Sequence, residues 1–302
     1  MRGISRIGVA ALAGMVSLLG VSTAQAIDSD GATSLTQPAN TLIMPYDATE
    51  GKASYMIVSN LSGESKYAPS VLTLWEWTNS EGVLENTVLA CLDLNATIVQ
   101  DAADTAPGSK GMVVVTAWET DEDCLEPIGL TDNAIVGTYT FADTEEQFSY
   151  GGDAIGVGLG ENGAPMLPDG YVGSIDVQTF NPQTLDDSSV VILSVAQSES
   201  SLIVSNETSI TAALSFYNNA GDVSNFSDVS VRGATFASMK PGGGLISSEI
   251  GVSTSGFLRM QFSEGAIGGG SGGSFIYGMH GQSVGQYGGS SNFKYTIIGP
   301  LT

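Results

Sequence analysis

The chain of 302 residues has one histidine (His280), two cysteines (Cys91 and Cys124) and nine basic residues against 32 acidic ones. Each scarcity excludes something. Nucleic-acid binding neutralises phosphates with Lys and Arg, which this chain lacks in number. Anionic membrane surfaces repel a net charge of −23 for the same reason. No CxxC spacing and no neighbouring histidine accompany the cysteines, which argues against a zinc site or a thiol catalyst. After residue 26 no apolar run is long enough for a membrane-spanning helix, and helical periodicity is nearly absent.

The charge that is present favours cations such as calcium, basic proteins or neutral sugars as partners. It also keeps an exported protein in solution without any partner. The first 26 residues read as a secretory signal. Arg2 and Arg6 precede the mostly apolar run Ile7 to Val21, and Ala24-Gln25-Ala26 is a small-x-small cleavage site. The mature chain is expected to begin near Ile27, in the extracellular space, on the cell surface or in the periplasm. In that oxidising setting an even cysteine count points to a Cys91–Cys124 disulfide.

Short β-rich runs separated by Gly, Asn, Asp, Ser and Pro predict an all-β fold, an antiparallel sandwich in two halves. The halves are expected at residues 27–185 and 186–302, divided at the polar stretch from Asn181-Pro182 to Ser189. Leu258, Met260 and Phe262 alternate with Arg259 and Gln261, and Ile135, Tyr139 and Phe141 with Thr138 and Thr140, as in strands buried on one face. Tyr55 to Val58 and Met112 to Val115 are apolar on both faces and predict central strands. In Thr41–Tyr46, Leu42 and Met44 are expected on one side and Ile43 on the other, with Pro45 at a strand end or edge and Thr41 more tolerant of a charge than Met44. Trp75 and Trp77 share a face and are read as core. Asn218 to Asp222 predicts a hairpin turn, and Gly151-Gly152-Asp153 a turn. Residues 27–40 form a polar extension without alternation, fit either for a leader or for lying along the edge of a neighbouring subunit.

Several motifs fail on context. Gly269 to Gly273 matches G-x-S-x-G around Ser271, but glycines stand where the helix of a nucleophile elbow belongs, and His280 is the lone histidine. Gly158 to Gly163 matches G-x-G-x-x-G, yet Pro165 and Pro168 oppose the helix that a dinucleotide site needs. Four Asn-x-Ser/Thr sequons, at Asn60, Asn95, Asn206 and Asn225, matter only in a glycosylating host. Glu119, Asp121 and Asp123, with Glu122, form the densest acidic cluster, and are the candidate calcium ligands because calcium takes several carboxylate oxygens.

The segment Met44-Pro45-Tyr46, Gly51 and Tyr55-Met56-Ile57-Val58-Ser59-Asn60 resembles the opening of a loose group of uncharacterised exported bacterial proteins. Cys124 with Ile135-Val136-Gly137-Thr138, and Gly256 to Met260, are similar to later landmarks of that group. The resemblance implies export and an all-β fold, and brings no catalytic residue.

No constellation for catalysis emerges, so the expected function is that of an exported structural or interaction protein, possible as a self-assembling homo-oligomer, rather than an enzyme. A carbohydrate- or calcium-binding module is the first alternative, with Trp75, Trp77, Trp118 or Tyr287 as the aromatic candidates. A hydrolase with a carboxylate pair is the second.

Overall fold

The computed structural model describes residues 38–61, 70–121, 123–131, 134–143, 148–159 and 165–166, and further along the strands named below with the turn at 220–222. The expected signal, residues 1–26, lies outside the described residues. The fold is antiparallel β throughout, as period-two patterning predicts. In chain order the first strands are β1 (Thr41–Asp47), β2 (Lys52–Asn60), β3 (Val71–Asn79), β4 (Leu84–Leu92) and β5 (Thr97–Asp101). After the helical turn α1 (Ala102–Thr105) come β6 (Lys110–Thr120), β7 (Pro127–Leu130), β8 (Ile135–Asp143), β9 (Phe148–Asp153), β10 (Ile155–Leu159) and β11 (Pro165–Met166).

These strands build two sheets. One runs β11-β10-β1-β6-β3-β4, with β7 added beside β6, and the other runs β5-β2-β8-β9. The later strands are β12 (Ser174–Phe180), β13 (Asp187–Gln197), β14 (Leu202–Ile203), β15 (Ser209–Asn218), β16 (Val223–Asn225), β17 (Val229–Arg232), β18 (Ala234–Ser238), β19 (Gly256–Phe262), β20 (Ser274–Val284), β21 (Tyr287–Asn292) and β22 (Thr296–Ile298). They build two more sheets, β12-β19-β15-β16 with β17, and β14-β13-β20-β21 with β18 and β22. Among the named strands, every pairing up to β11 stays with earlier strands, and every pairing from β12 stays with later ones. The change of partners therefore falls between β11 and β12.

The first two sheets meet face to face across one core. Leu42, Met44 and Tyr46 of β1 and Trp75 and Trp77 of β3 lie on one side; Met56 and Val58 of β2 and Tyr139 and Phe141 of β8 lie on the other. The sheets approach closely at Gly137, where a Cβ would stand 2.8 Å from Leu42 Cδ1. Asn40 pins the start of β1. Its Nδ2 donates to the carbonyls of Ala117, at 2.9 Å, and Thr131, at 2.8 Å.

The central-strand reading holds for β6, in which Met112, Val113, Val114 and Val115 are all buried. On β2, Met56 and Val58 are buried and Tyr55 and Ile57 half-buried. Pro45 pairs with Met112, but the β1–β10 ladder covers only Thr41 to Ile43. Pro45 therefore sits where β1 has become an edge, and its missing N–H costs no bond on that side. The expected tolerance at Thr41 is overturned. Thr41 is as buried as Met44, and its hydroxyl donates to Asn40 Oδ1 at 2.9 Å. Ile43 is buried too, so β1 is covered on both faces.

The hairpin turn is present between β15 and β16. Asn218 N–H donates to the Asp222 carbonyl at 3.0 Å, and Gly221 takes φ +89°. Gly151 to Asp153, by contrast, belong to β9 rather than to a turn. Gly151 lies so close to β8 that a Cβ there would meet the Tyr139 carbonyl, so glycine is the residue this part of the ladder requires.

Candidate functional site

Cys91 and Cys124 are joined, with Cα atoms 6.0 Å apart. Cys91 is exposed on β4, and Cys124 lies in the turn after β6 at φ +58°. A non-glycine residue in the left-handed region needs support from its surroundings, and Asp121 supplies it. Its carbonyl accepts from Cys124 N–H at 3.1 Å, and its carboxylate accepts from Leu125 N–H at 2.9 Å and from Thr120 Oγ1 at 3.3 Å. The Leu125 N–H, as the largest influence, holds the Asp121 carboxyl below the usual carboxylate range.

The acidic cluster thus divides by role. Asp121 organises the disulfide turn, Glu119 is half-buried on β6 opposite Val71 and Gly129, and Asp123 is exposed. Among the described residues no three acidic, histidine or cysteine side chains are grouped to hold a metal ion.

The tryptophan pair is coplanar but not displayed. Trp75 and Trp77 stack with centroids 6.4 Å apart and planes 12° apart, and both are 0% exposed. Tyr46 meets Trp77 edge-on at 5.0 Å. Trp75 Nε1 donates to Thr73 Oγ1 at 2.9 Å, whereas Trp77 Nε1 has no partner among the described residues. Burial pushes the Tyr46 hydroxyl up to about 12, with Glu85 and Asp47 adding to it and the Ser109 hydroxyl partly offsetting it. As sugar platforms, Trp75 and Trp77 are excluded by burial. Trp118 is half-buried, and the side chain of Tyr287 lies outside the described residues.

The other face of the large sheet is different. Paired residues of adjacent antiparallel strands point to the same side, so the register places three rows on that face across β6, β3 and β4. They are Trp118, Leu72 and Cys91; Thr116, Leu74 and Leu89; and Val114, Glu76 and Thr87. Leu72 is buried, at 3% exposure, and Trp118 and Thr116 are half-buried. Val114 is buried at β6, Leu74 and Glu76 are half-buried at β3, and Leu89 is 61% exposed at β4. Strand β4 ends the sheet, with no described strand on its far side. Leu125, next to the disulfide, is 73% exposed.

Glu76 is the one acid in these rows. Burial alone raises its carboxyl above the ordinary value, with no hydrogen bond or neighbouring charge contributing. The alternation Leu72, Leu74, Glu76 was open to a sequence reading, since an acid stands where the period calls for an apolar residue. The openness of the face was not.

Of the remaining candidates, Asn60 is buried, with Nδ2 donating to the Leu92 carbonyl at 2.9 Å, so its sequon is inaccessible in the fold. Gly158 and Leu159 lie in β10, and residues 160–163 lie outside the described residues. Ser271 and Asn206 also lie outside them. His280 is placed on β20 opposite Val190 and Ser291. No helix among the described residues is long and apolar enough to cross a membrane.

No protein-family model and no curated protein matches the chain. Among solved structures, the PBSX exported protein XepA is similar at 9% identity and a TM-score of 0.20, over 80% of this chain and 82% of that one. A viral chemokine-binding protein from a rodent gammaherpesvirus is similar at 10% identity and a TM-score of 0.17, over 86% of each chain. At such TM-scores neither likeness carries an argument about this chain.

Proposed function

We propose that the chain is an exported interaction protein of the extracellular space or cell surface. One observation carries the reading: the outer face of β3 and β4 at Leu74, Glu76 and Leu89 is partly open, apolar near a disulfide, and holds a carboxylate with no partner among the described residues. A face left only to solvent gains nothing by half-burying an unpaired charge beside exposed leucine. A face that another polypeptide covers does. Export fits the secretory signal at residues 1–26 and a disulfide that reducing compartments would not maintain.

The test is expression of the full chain in a bacterial host, followed by fractionation, N-terminal sequencing and cross-linking of the exported fraction. The expected result is a mature N-terminus at Ile27, an intact Cys91–Cys124 bond, and cross-links to other polypeptides. A cytoplasmic chain retaining residues 1–26 with free thiols would overturn the reading.

A further inference from the structure

We propose that the outer face of β3 and β4 binds an extended segment of another polypeptide in which a lysine or arginine and an apolar residue occupy alternate positions. This deepens the interaction reading above and rests on it.

The spacing follows from the ladder. Successive rows on one face of a sheet are two residues apart, about 6.5 Å along the strand. Glu76 and Leu74 are one such step apart on β3, with Leu89 beside Leu74, whereas Leu72, the next step along, is 3% exposed and closed to a ligand. An extended segment running alongside repeats at the same interval on its own face. Its cation then sits over Glu76 and its apolar side chain over Leu74 and Leu89.

Charge selects the occupant. The Glu76 carboxylate is half-buried and meets no cation among the described residues. A docked cation would pair with it away from solvent, where a charge-assisted bond is stronger than at an open surface. A second copy is a poor source of that cation. Two of the nine basic residues fall in the signal, and Lys52 and Lys110 are already engaged within the fold. A second copy would also bring 32 further acidic residues, and like-charged surfaces repel.

The test uses the intact oxidised protein and a short fluorescent peptide containing Lys-Thr-Leu, read by anisotropy. A peptide with Glu in place of Lys is the control. The expected result is salt-sensitive binding of the lysine peptide, about tenfold weaker for Glu76→Gln, weaker for Leu89→Ser, and unchanged for Glu50→Gln in the turn between β1 and β2. Absence of binding at low salt, equal binding of both peptides, or equal affinity for wild type and Glu76→Gln would overturn the proposal. So would light scattering that finds a dimer which Leu89→Ser converts to monomer, since the face would then belong to a second copy. Failure here with cross-linked partners still found on the exported protein leaves the interaction reading standing. A chain that is never exported overturns that reading and leaves the peptide measurement unaffected.

Discussion

Asn40 and Ala117 hydrogen-bond in both directions: Asn40 Nδ2 donates to the Ala117 carbonyl, and Ala117 N–H donates to the Asn40 carbonyl, each at 2.9 Å. The pair fastens the start of β1 to the middle of β6. With Ala39 bridged to Ile135, it makes the last two residues of the polar extension 27–40 part of the fold.

Replacing Asn40 with Ala leaves two buried carbonyls without their side-chain donor, which costs about 1–3 kcal/mol. Thermal unfolding should show Asn40→Ala well below wild type. Equal melting of Asn40→Ala and wild type would refute the clamp.

The Cys91–Cys124 bond closes a loop with a sequence separation of 33. The chain-entropy model assigns it about 3.5–4 kcal/mol. Chemical denaturation of the Cys91→Ser/Cys124→Ser double variant should show a loss approaching that figure, and mass spectrometry of a non-reduced digest should find the linked peptides. A double variant as stable as wild type would show that the bond does not staple the fold.

Gly111 sits where β6 crosses the end of β3, and a Cβ there would meet the Thr78 carbonyl and the Asn79 backbone. Neither is a flexible side chain, so Gly111→Ala should cost about 1–3 kcal/mol through forced backbone movement. Gly129→Ala, where no atom stands within 4 Å of the added carbon, is the matched control. Similar losses at both sites would refute the crowding argument.

Burial raises the Glu76 carboxyl, so the folded state favours its protonated form more than the unfolded state does. The sign is therefore that of a penalty: absent below the unfolded value, it grows as pH rises through that value and is complete above the folded one. Glu76→Gln should be more stable than wild type at pH 7 and equal to it at pH 3 in denaturant titrations. Combined with weaker peptide binding, this separates a binding carboxylate from a structural one, whose loss would destabilise. A less stable Glu76→Gln at pH 7 would sink the argument.

Much of the architecture is legible in single segments. The alternation in Val71 to Trp77 places Trp75 and Trp77 together on the core face, and β3 forms there. The strands that escaped reading carry weak local signals. β9 contains Gly151 and Gly152, and β7 contains Pro127 and Gly129, residues that normally punctuate strands. Their strand state comes from partners: β9 pairs with β8, and β7 with β6.

The sequence by itself determined the antiparallel β class, because side chains alternate with period two whatever lies around them. It also pointed to the disulfide, because the two cysteines of the chain have only each other to pair with. Only the tertiary structure decided which faces are covered. Ile43 and Thr41 are buried on the side that alternation leaves polar or free, Asp121 is spent on the turn at Cys124, and Glu76 stands half-buried on an open face. Period two says that two residues share a side; what covers that side is set by segments distant in the chain, and no local pattern encodes it.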